Sequence, residues 1–108
     1  MINNPMPCTT DFIDFLCEAI APLGEVKARK MMGDYVIYLD GKCIITACDN
    51  IAYIKMHPSL SEIMSDAETG HPYPGAKEAY ILDIDDKALV SEALTTLWSK
   101  LPYPKSRK

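Results

Sequence analysis

The sequence predicts a two-layer α+β fold, in which an antiparallel sheet of about five strands has helices packed on one face. Two segments, one near each end of the chain, have the apolar spacing of amphipathic helices. Between them, short apolar segments follow one another and are separated by tight turns. Consecutive strands of this kind form an antiparallel meander, and helices at both ends must cover one of its faces. The expected order is α-β-β-β-β-α-β-α.

The first helix is predicted from its cap and its apolar spacing. The side-chain oxygen of Thr9 or Thr10 can accept a hydrogen bond from a free backbone N–H group at the start of the helix. Asp11 adds a favourable negative charge in the first turn. Pro22 and Gly24 end the segment. The apolar residues are Phe12, Ile13, Phe15, Leu16, Ala19, Ile20 and Leu23.

Four consecutive strands are expected after this helix. They span residues 26–31, 35–39, 42–48 and 51–56. Asp40-Gly41 and Asp49-Asn50 are predicted two-residue hairpin turns, because both central positions favour positive φ. Gly33 is interpreted as a bend at a strand junction, since its surroundings lack the lysine and serine of a phosphate-binding loop.

The rest of the chain is predicted to add a short helix, a fifth strand and a final helix. The expected elements are a helix over 59–68, a loop over 69–75, a strand over 78–84 and a helix from about Asp85 to Leu101. Ser59 is the expected cap of the short helix, and Pro102 ends the last one.

Regular pairing across the hairpin turns assigns each strand residue to one sheet face. Ile37 is then expected opposite Ile44, and Ile45 opposite Ile54. The predicted core face is Val36, Tyr38, Cys43, Ile45, Ala47, Ala52, Ile54 and Met56. The second face is Tyr35, Ile37, Leu39, Lys42, Ile44, Thr46, Cys48, Ile51, Tyr53 and Lys55. The second face is more apolar than a solvent-facing sheet requires, so either other parts of the chain cover it or it docks a partner.

Length and charge restrict the function classes. The chain has 108 residues, which predicts one domain over 1–108, with an ordered core over about 10–101 and a basic tail over 102–108. The net charge of -4 disfavours direct binding to nucleic acid. Neither a membrane span nor a secretory signal is visible, so the cytoplasm is the expected location.

Catalytic and metal-binding patterns are not found in the sequence. Cys8, Cys17, Cys43 and Cys48 are interpreted as reduced thiols, and the two histidines precede prolines in loop-like segments. A straight strand would point Cys43 and Cys48 to opposite faces, which disfavours a shared metal. We therefore expect no catalytic residue, no metal and no cofactor.

The segment from Ala21 to Met56 resembles the start of the TfoX/Sxy N-terminal domain. That family carries a Pro-Leu-Gly turn, a basic residue followed by Met and Gly, a Tyr-x-x-Tyr strand, a Gly-Lys hairpin and a Tyr-x-Lys strand. The matching positions are Pro22-Leu23-Gly24, Arg29, Met31, Gly33, Tyr35, Tyr38, Gly41-Lys42, Tyr53 and Lys55. A looser match includes Tyr73, Tyr80 and Trp98, so the resemblance covers about residues 10–101.

The resemblance implies a two-layer α+β fold and a non-enzymatic role in transcription, linked to natural competence. In that family the protein acts as a coactivator alongside a cyclic-AMP receptor protein, which implies a protein partner of this kind. Longer members have a second, helical domain, whereas this sequence ends after the first. No catalytic residue is carried over.

The expected partner-binding site is the second sheet face. Its residues are Arg29, Tyr35, Ile37, Ile44, Tyr53 and Lys55, with Arg29 at the edge. A second copy of the chain is an alternative partner. Two other functions stay open: a small-molecule site or enzyme near Met31, Tyr38, Cys43 and His71, and weak nucleic-acid contact through the basic tail.

Overall fold

The computed structural model describes residues 8–31 and 34–102. Its helices are α1 (Thr10–Ile20) and α2 (Lys87–Lys100), and its strands are β1 (Val26–Met31), β2 (Asp34–Leu39), β3 (Lys42–Cys48), β4 (Ile51–Lys55), β5 (Thr69–Gly70) and β6 (Ala79–Ile81). Short 3₁₀ helices span Ala21–Leu23 and Pro58–Leu60. The expected bend at Gly33 and the tail after residue 102 lie outside the described residues.

The strands form one antiparallel sheet in the order β1-β2-β3-β4-β6-β5. This confirms the predicted α+β class and the meander of the first four strands. Both predicted hairpin turns are also confirmed. Asp40 and Gly41 have φ angles of 46° and 86°, and Asp49 and Asn50 have φ angles of 55° and 59°. These positive angles match the right-handed twist of the flanking strands.

Both helices pack on the same face of the sheet, where the main core lies. Thr9 caps α1, because its side-chain oxygen accepts a hydrogen bond from the Phe12 N–H at 3.1 Å. Asp86 caps α2 by accepting from the Leu89 N–H at 3.1 Å. The helices contribute Ile13, Leu16, Ile20, Val90, Ala93, Leu94 and Leu97, and the sheet contributes Ile37, Leu39, Ile44, Ile45, Ala47, Ala52 and Ile54. Among the described residues, no helix is long and apolar enough to cross a membrane.

A β-bulge in β3 changes the predicted assignment of residues to faces. Tyr38 lies opposite Cys43 as expected, but Ile37 lies opposite Ile45, so Ile44 is the extra residue. Each residue of β2 therefore projects to the face opposite to the predicted one. The register of β3 with β4 is as predicted at Ala47–Ala52 and Cys48–Ile51.

Lys42 is the clearest consequence of this change. It was expected on the second face, but it projects to the helix side and is only 6% exposed. Its Nζ lies 3.6 Å from the centre of the Trp98 ring on α2 and donates to the Trp98 carbonyl oxygen at 2.9 Å. The Trp98 indole N–H in turn donates to the Leu39 carbonyl oxygen at 2.7 Å. These contacts attach the end of α2 to the β2–β3 hairpin.

The segment after β4 differs most from the prediction. The expected helix over 59–68 is instead the 3₁₀ helix Pro58–Leu60 followed by turns. Its cap is His57 and not Ser59, because the His57 Nδ1 accepts a hydrogen bond from the Ser59 N–H at 3.1 Å. Part of the expected loop forms the short strand β5, which pairs with β6 at the edge of the sheet.

Candidate interaction site on the sheet

The face of the sheet opposite the helices is the candidate site, and we call it the open face. Its membership follows from the ladder partners and from the alternation of side chains along each strand. The open face consists of Lys27, Arg29, Met31, Asp34, Val36, Tyr38, Cys43, Thr46, Cys48, Ile51, Tyr53, Lys55, Ala79 and Ile81.

The two ends of the open face differ in chemistry. On β1, Lys27 and Arg29 are exposed, and Met31 is 48% exposed. Next to them, Val36 and Tyr38 on β2 are half-buried. This end therefore offers cationic groups beside apolar and aromatic surface, a combination suited to a protein partner that carries carboxylates.

The other end of the open face has a small apolar cluster of its own. Cys48, Tyr53 and Ala79 are buried there, with Ile51 and Ile81 packed against them. The Tyr53 ring extends over Gly70 of β5, since a Cβ at Gly70 would lie 3.4 Å from the Tyr53 Cε1 atom. Burial raises the pKa of the Tyr53 hydroxyl, so this group is protonated at neutral pH. Lys55 stands exposed beside this cluster.

The structure brings three of the six predicted partner-binding residues to the open face. Arg29 and Lys55 lie there exposed, and Tyr53 lies there buried. Partner binding through this group stays a prediction.

The other three, Tyr35, Ile37 and Ile44, belong to the helix-covered side, and their predicted placement was wrong. Ile37 is fully buried and Ile44 is 3% exposed, both within the main core. Tyr35 packs against the same core. The bulge at Ile44 is the reason, because it moves the β2 residues to the other face.

Four further residues of the open face are not among the predicted partner-binding residues: Lys27, Val36, Tyr38 and Thr46. Lys27 could have been found, since it alternates with Arg29 along an expected strand. Val36 and Tyr38 could not be assigned correctly without the bulge.

The described cysteines are not arranged as activated nucleophiles. Burial raises the pKa values of all four described thiols, so these groups are protonated at neutral pH. The four are Cys8, Cys17, Cys43 and Cys48. The bulge places Cys43 and Cys48 on the same face, which corrects the expectation of opposite faces. Within residues 8–31 and 34–102, no group of three or more His, Cys, Asp or Glu side chains is arranged to hold a metal ion.

A groove of about 610 Å³ lies where β3 and β4 separate. The ladder between these strands ends at the pair Thr46–Tyr53, and the expected pair Ile45–Ile54 is not part of it. Cys43, Lys55 and Leu97 are among the groove-lining residues. Of the residues expected to form a small-molecule pocket, Cys43 lines this groove, whereas the His71 ring nitrogen hydrogen-bonds the Ala76 carbonyl oxygen at 2.9 Å. A small-molecule function for the groove stays a prediction.

Comparison with known proteins shows the family of this chain. The sequence is 30% identical over 105 residues to an uncharacterized 12.7 kDa protein in the trpE 5' region of Spirochaeta aurantia, and the alignment covers 95% of this chain and 91% of that protein. Residues 18–104 match the TfoX N-terminal domain. The chain therefore belongs to the TfoX N-terminal domain family.

Proposed function

We propose that this chain is a non-enzymatic regulatory protein that acts by binding another protein in the control of transcription. The observation that carries the proposal is the open face, where an exposed cationic edge adjoins half-buried Val36 and Tyr38. Aromatic residues, methionine and arginine are enriched at protein interfaces, and Tyr38, Met31 and Arg29 lie together on this face. Membership in the TfoX N-terminal domain family supports a regulatory role.

The partner that we propose is a transcription regulator of the cyclic-AMP receptor protein type, acting in genes of natural competence. Arg29 and Lys55 contact acidic groups at the rim of the interface, and Tyr38 packs at its centre. Charges at a rim mainly affect the association rate and its dependence on salt, whereas a buried aromatic anchor contributes more to affinity.

The test is binding between the purified chain and the purified cyclic-AMP receptor protein and RNA polymerase of the same organism, followed by biolayer interferometry. Substitutions at the buried residues Ile44 and Tyr53 would disturb the fold, so the informative variant changes two exposed residues. It is Arg29→Glu with Lys55→Glu. We expect this variant to bind about tenfold more weakly at low salt, with most of the loss in the association rate.

The matched control is Lys87→Glu with Lys100→Glu, which makes the same charge change on exposed positions of α2. It should bind like the wild type. Equal loss in both variants would indicate a general charge effect and contradict a site on the open face. Absence of binding to the cyclic-AMP receptor protein would contradict the proposed partner. Absence of binding to RNA polymerase as well would contradict a regulatory role through either protein.

A further inference from the structure

Strand β1 is an edge of the sheet. In the part of the chain that the structure describes, its only neighbour in the sheet is β2. Residues 27–31 of this strand are all exposed. Every second residue of an edge strand directs its backbone N–H and C=O groups away from the sheet, where another strand can pair with them.

The opposite edge is β5, which has only two residues, whereas β1 has six. A two-residue edge offers little backbone for pairing. Most β-strands have three to ten residues, so β1 is long enough to hold an added strand. The sheet therefore presents one extended edge within the described residues.

The β1 edge carries three cationic side chains, although the chain as a whole has a net charge of -4. Lys27 and Arg29 project to the open face, and Lys30 projects to the other side. Residues two apart on one side of a strand meet residues two apart on the neighbouring strand. The two cations on the open face therefore match two anions in an i, i+2 arrangement.

The same charges disfavour pairing between two copies of β1. In a two-fold antiparallel pair centred between Ala28 and Arg29, Lys27 lies opposite Lys30. Moving the centre onto Ala28 places Lys27 opposite Arg29, and moving it onto Arg29 places two arginines opposite each other. Like charges directly opposite each other are destabilising. Each of the three registers that pair at least five of the six residues of the strand with the other copy therefore has such a contact.

We propose that β1 binds an extended acidic segment of a partner protein, which adds a strand to the sheet. Two carboxylates at positions i and i+2 of that segment lie beside Lys27 and Arg29, and a third acidic group on its other side meets Lys30. Backbone hydrogen bonds along β1 provide affinity, and the three cations select an acidic sequence. Met31, which is 48% exposed, adds an adaptable apolar contact. This inference rests on the proposed function, since it names the kind of segment through which a partner is recognised.

The probe that tests this proposal is a fluorescent synthetic peptide that alternates threonine with glutamate, with one threonine replaced by glutamate to supply the acidic group for Lys30. Binding is measured by fluorescence anisotropy at low salt, and the site is located from backbone amide shifts in NMR spectra of the labelled protein. We expect the shifts to concentrate on β1 and the facing residues of β2, and the affinity to fall as salt screens the charges.

Two control peptides separate strand addition from general attraction. A peptide in which lysine replaces glutamate should not bind. A peptide with the same glutamates but methylated backbone nitrogens keeps the charges and loses its hydrogen-bond donors, so it should bind about tenfold more weakly or not at all. Equal affinity of the methylated and unmethylated peptides would overturn strand addition.

The matching protein variant is Lys27→Glu with Arg29→Glu, which should weaken binding of the acidic peptide by at least about tenfold. Lys27→Arg with Arg29→Lys should bind like the wild type, and so should Lys87→Glu with Lys100→Glu. Well-dispersed NMR spectra of each variant show that the fold is retained. Amide shifts confined to β4 and β6, or a dimer formed through β1 in sedimentation, would overturn the proposal.

Two results separate the failure of this inference from that of the proposed function. If a regulator binds and Lys55→Glu weakens its binding while Lys27→Glu/Arg29→Glu does not, the open face is a binding site but strand addition at β1 is wrong. If the acidic peptide binds at β1 but neither the cyclic-AMP receptor protein nor RNA polymerase binds the chain, strand addition is supported and the proposed partner is wrong.

Discussion

The Cys48 thiol lies at the end of β3, where it is 4% exposed and hydrogen-bonds the Asp34 carboxylate. Burial, together with this hydrogen bond and the negative charge of Asp34, raises the pKa of the thiol to about 12. The folded state therefore favours the protonated thiol more than the unfolded state does. This contribution to stability is complete below the ordinary pKa of a thiol, near 9.0, and is lost as the pH rises from there toward 12.

We expect the free energy of unfolding to fall more steeply with pH in the wild type than in Cys48→Ala. Between pH 8 and pH 10 the difference in loss should be about 1 kcal/mol, measured by urea denaturation. Cys17 and Cys43 also have raised pKa values, but they titrate in both proteins and so cancel in the comparison. Cys8 and Tyr53, whose pKa values are raised as well, interact electrostatically with Cys48 and cancel only in part. Parallel pH profiles would show that Cys48 does not titrate as the structure indicates.

Local properties of single residues could be read from the sequence, whereas distant contacts could not. The turns at Asp40-Gly41 and Asp49-Asn50 were predicted correctly because positive φ is a preference of the turn residues themselves. The burial of Lys42 was missed because it depends on Trp98, which is 56 residues away. A lysine beside a hairpin turn gives no local signal of such a contact.

At the scale of elements, the connection from α1 to β1 is locked onto the β2–β3 turn. The Asp40 carboxylate accepts a hydrogen bond from the Glu25 N–H at 2.8 Å, and the Asp40 N–H donates to the Glu25 carbonyl oxygen at 2.8 Å. The carboxylate lies directly against Gly24. A Cβ at Gly24 would lie 2.3 Å from the Asp40 Oδ2 atom, so only glycine leaves room for the contact.

Gly24→Ala should destabilise the protein by about 1–3 kcal/mol, because the new methyl group displaces the carboxylate and its hydrogen bond to Glu25. Urea denaturation measures this loss. In the double variant Gly24→Ala/Asp40→Gly the obstructing carboxylate is absent, and glycine accepts the positive φ of position 40. The double variant should therefore lose less free energy of unfolding than the sum of the two single losses. Strict additivity would contradict the close contact between Gly24 and the Asp40 carboxylate.

The element predictions that failed share a physical cause, which is tertiary context. The segment 59–68 has apolar residues at helical spacing, and Leu60 and Met64 are indeed buried. A helix of this length is marginal without strong caps, and here His57 directs the chain into a 3₁₀ turn instead. The bulge at Ile44 likewise could not be predicted, because it lies among consecutive apolar residues. Without alternation of polar and apolar residues, the sequence does not show which face each residue takes.

At the scale of the whole molecule, the fold class could be predicted from the sequence. The face to which each strand residue projects could be predicted for only part of the sheet. β4 and the end of β3 were assigned to the correct faces, so Tyr53 and Lys55 lie on the predicted face of the sheet. β2 was assigned to the wrong faces, so Tyr35 and Ile37 do not. One extra residue in β3 decides which alternate residues of β2 face the helices and which lie on the open face.

Alanine substitutions at neighbouring positions of β2 distinguish the two assignments. Ile37 is fully buried under the helices, whereas Val36 is half-buried on the open face. We therefore expect Ile37→Ala to destabilise the protein by about 2–5 kcal/mol and Val36→Ala by only about 1 kcal/mol. Trp98 is the single tryptophan of the chain and contacts the β2–β3 hairpin, so its fluorescence reports unfolding of the sheet and α2 together. A larger loss for Val36→Ala would mean that β2 has the regular register without the bulge, and that the helices cover the face here described as open.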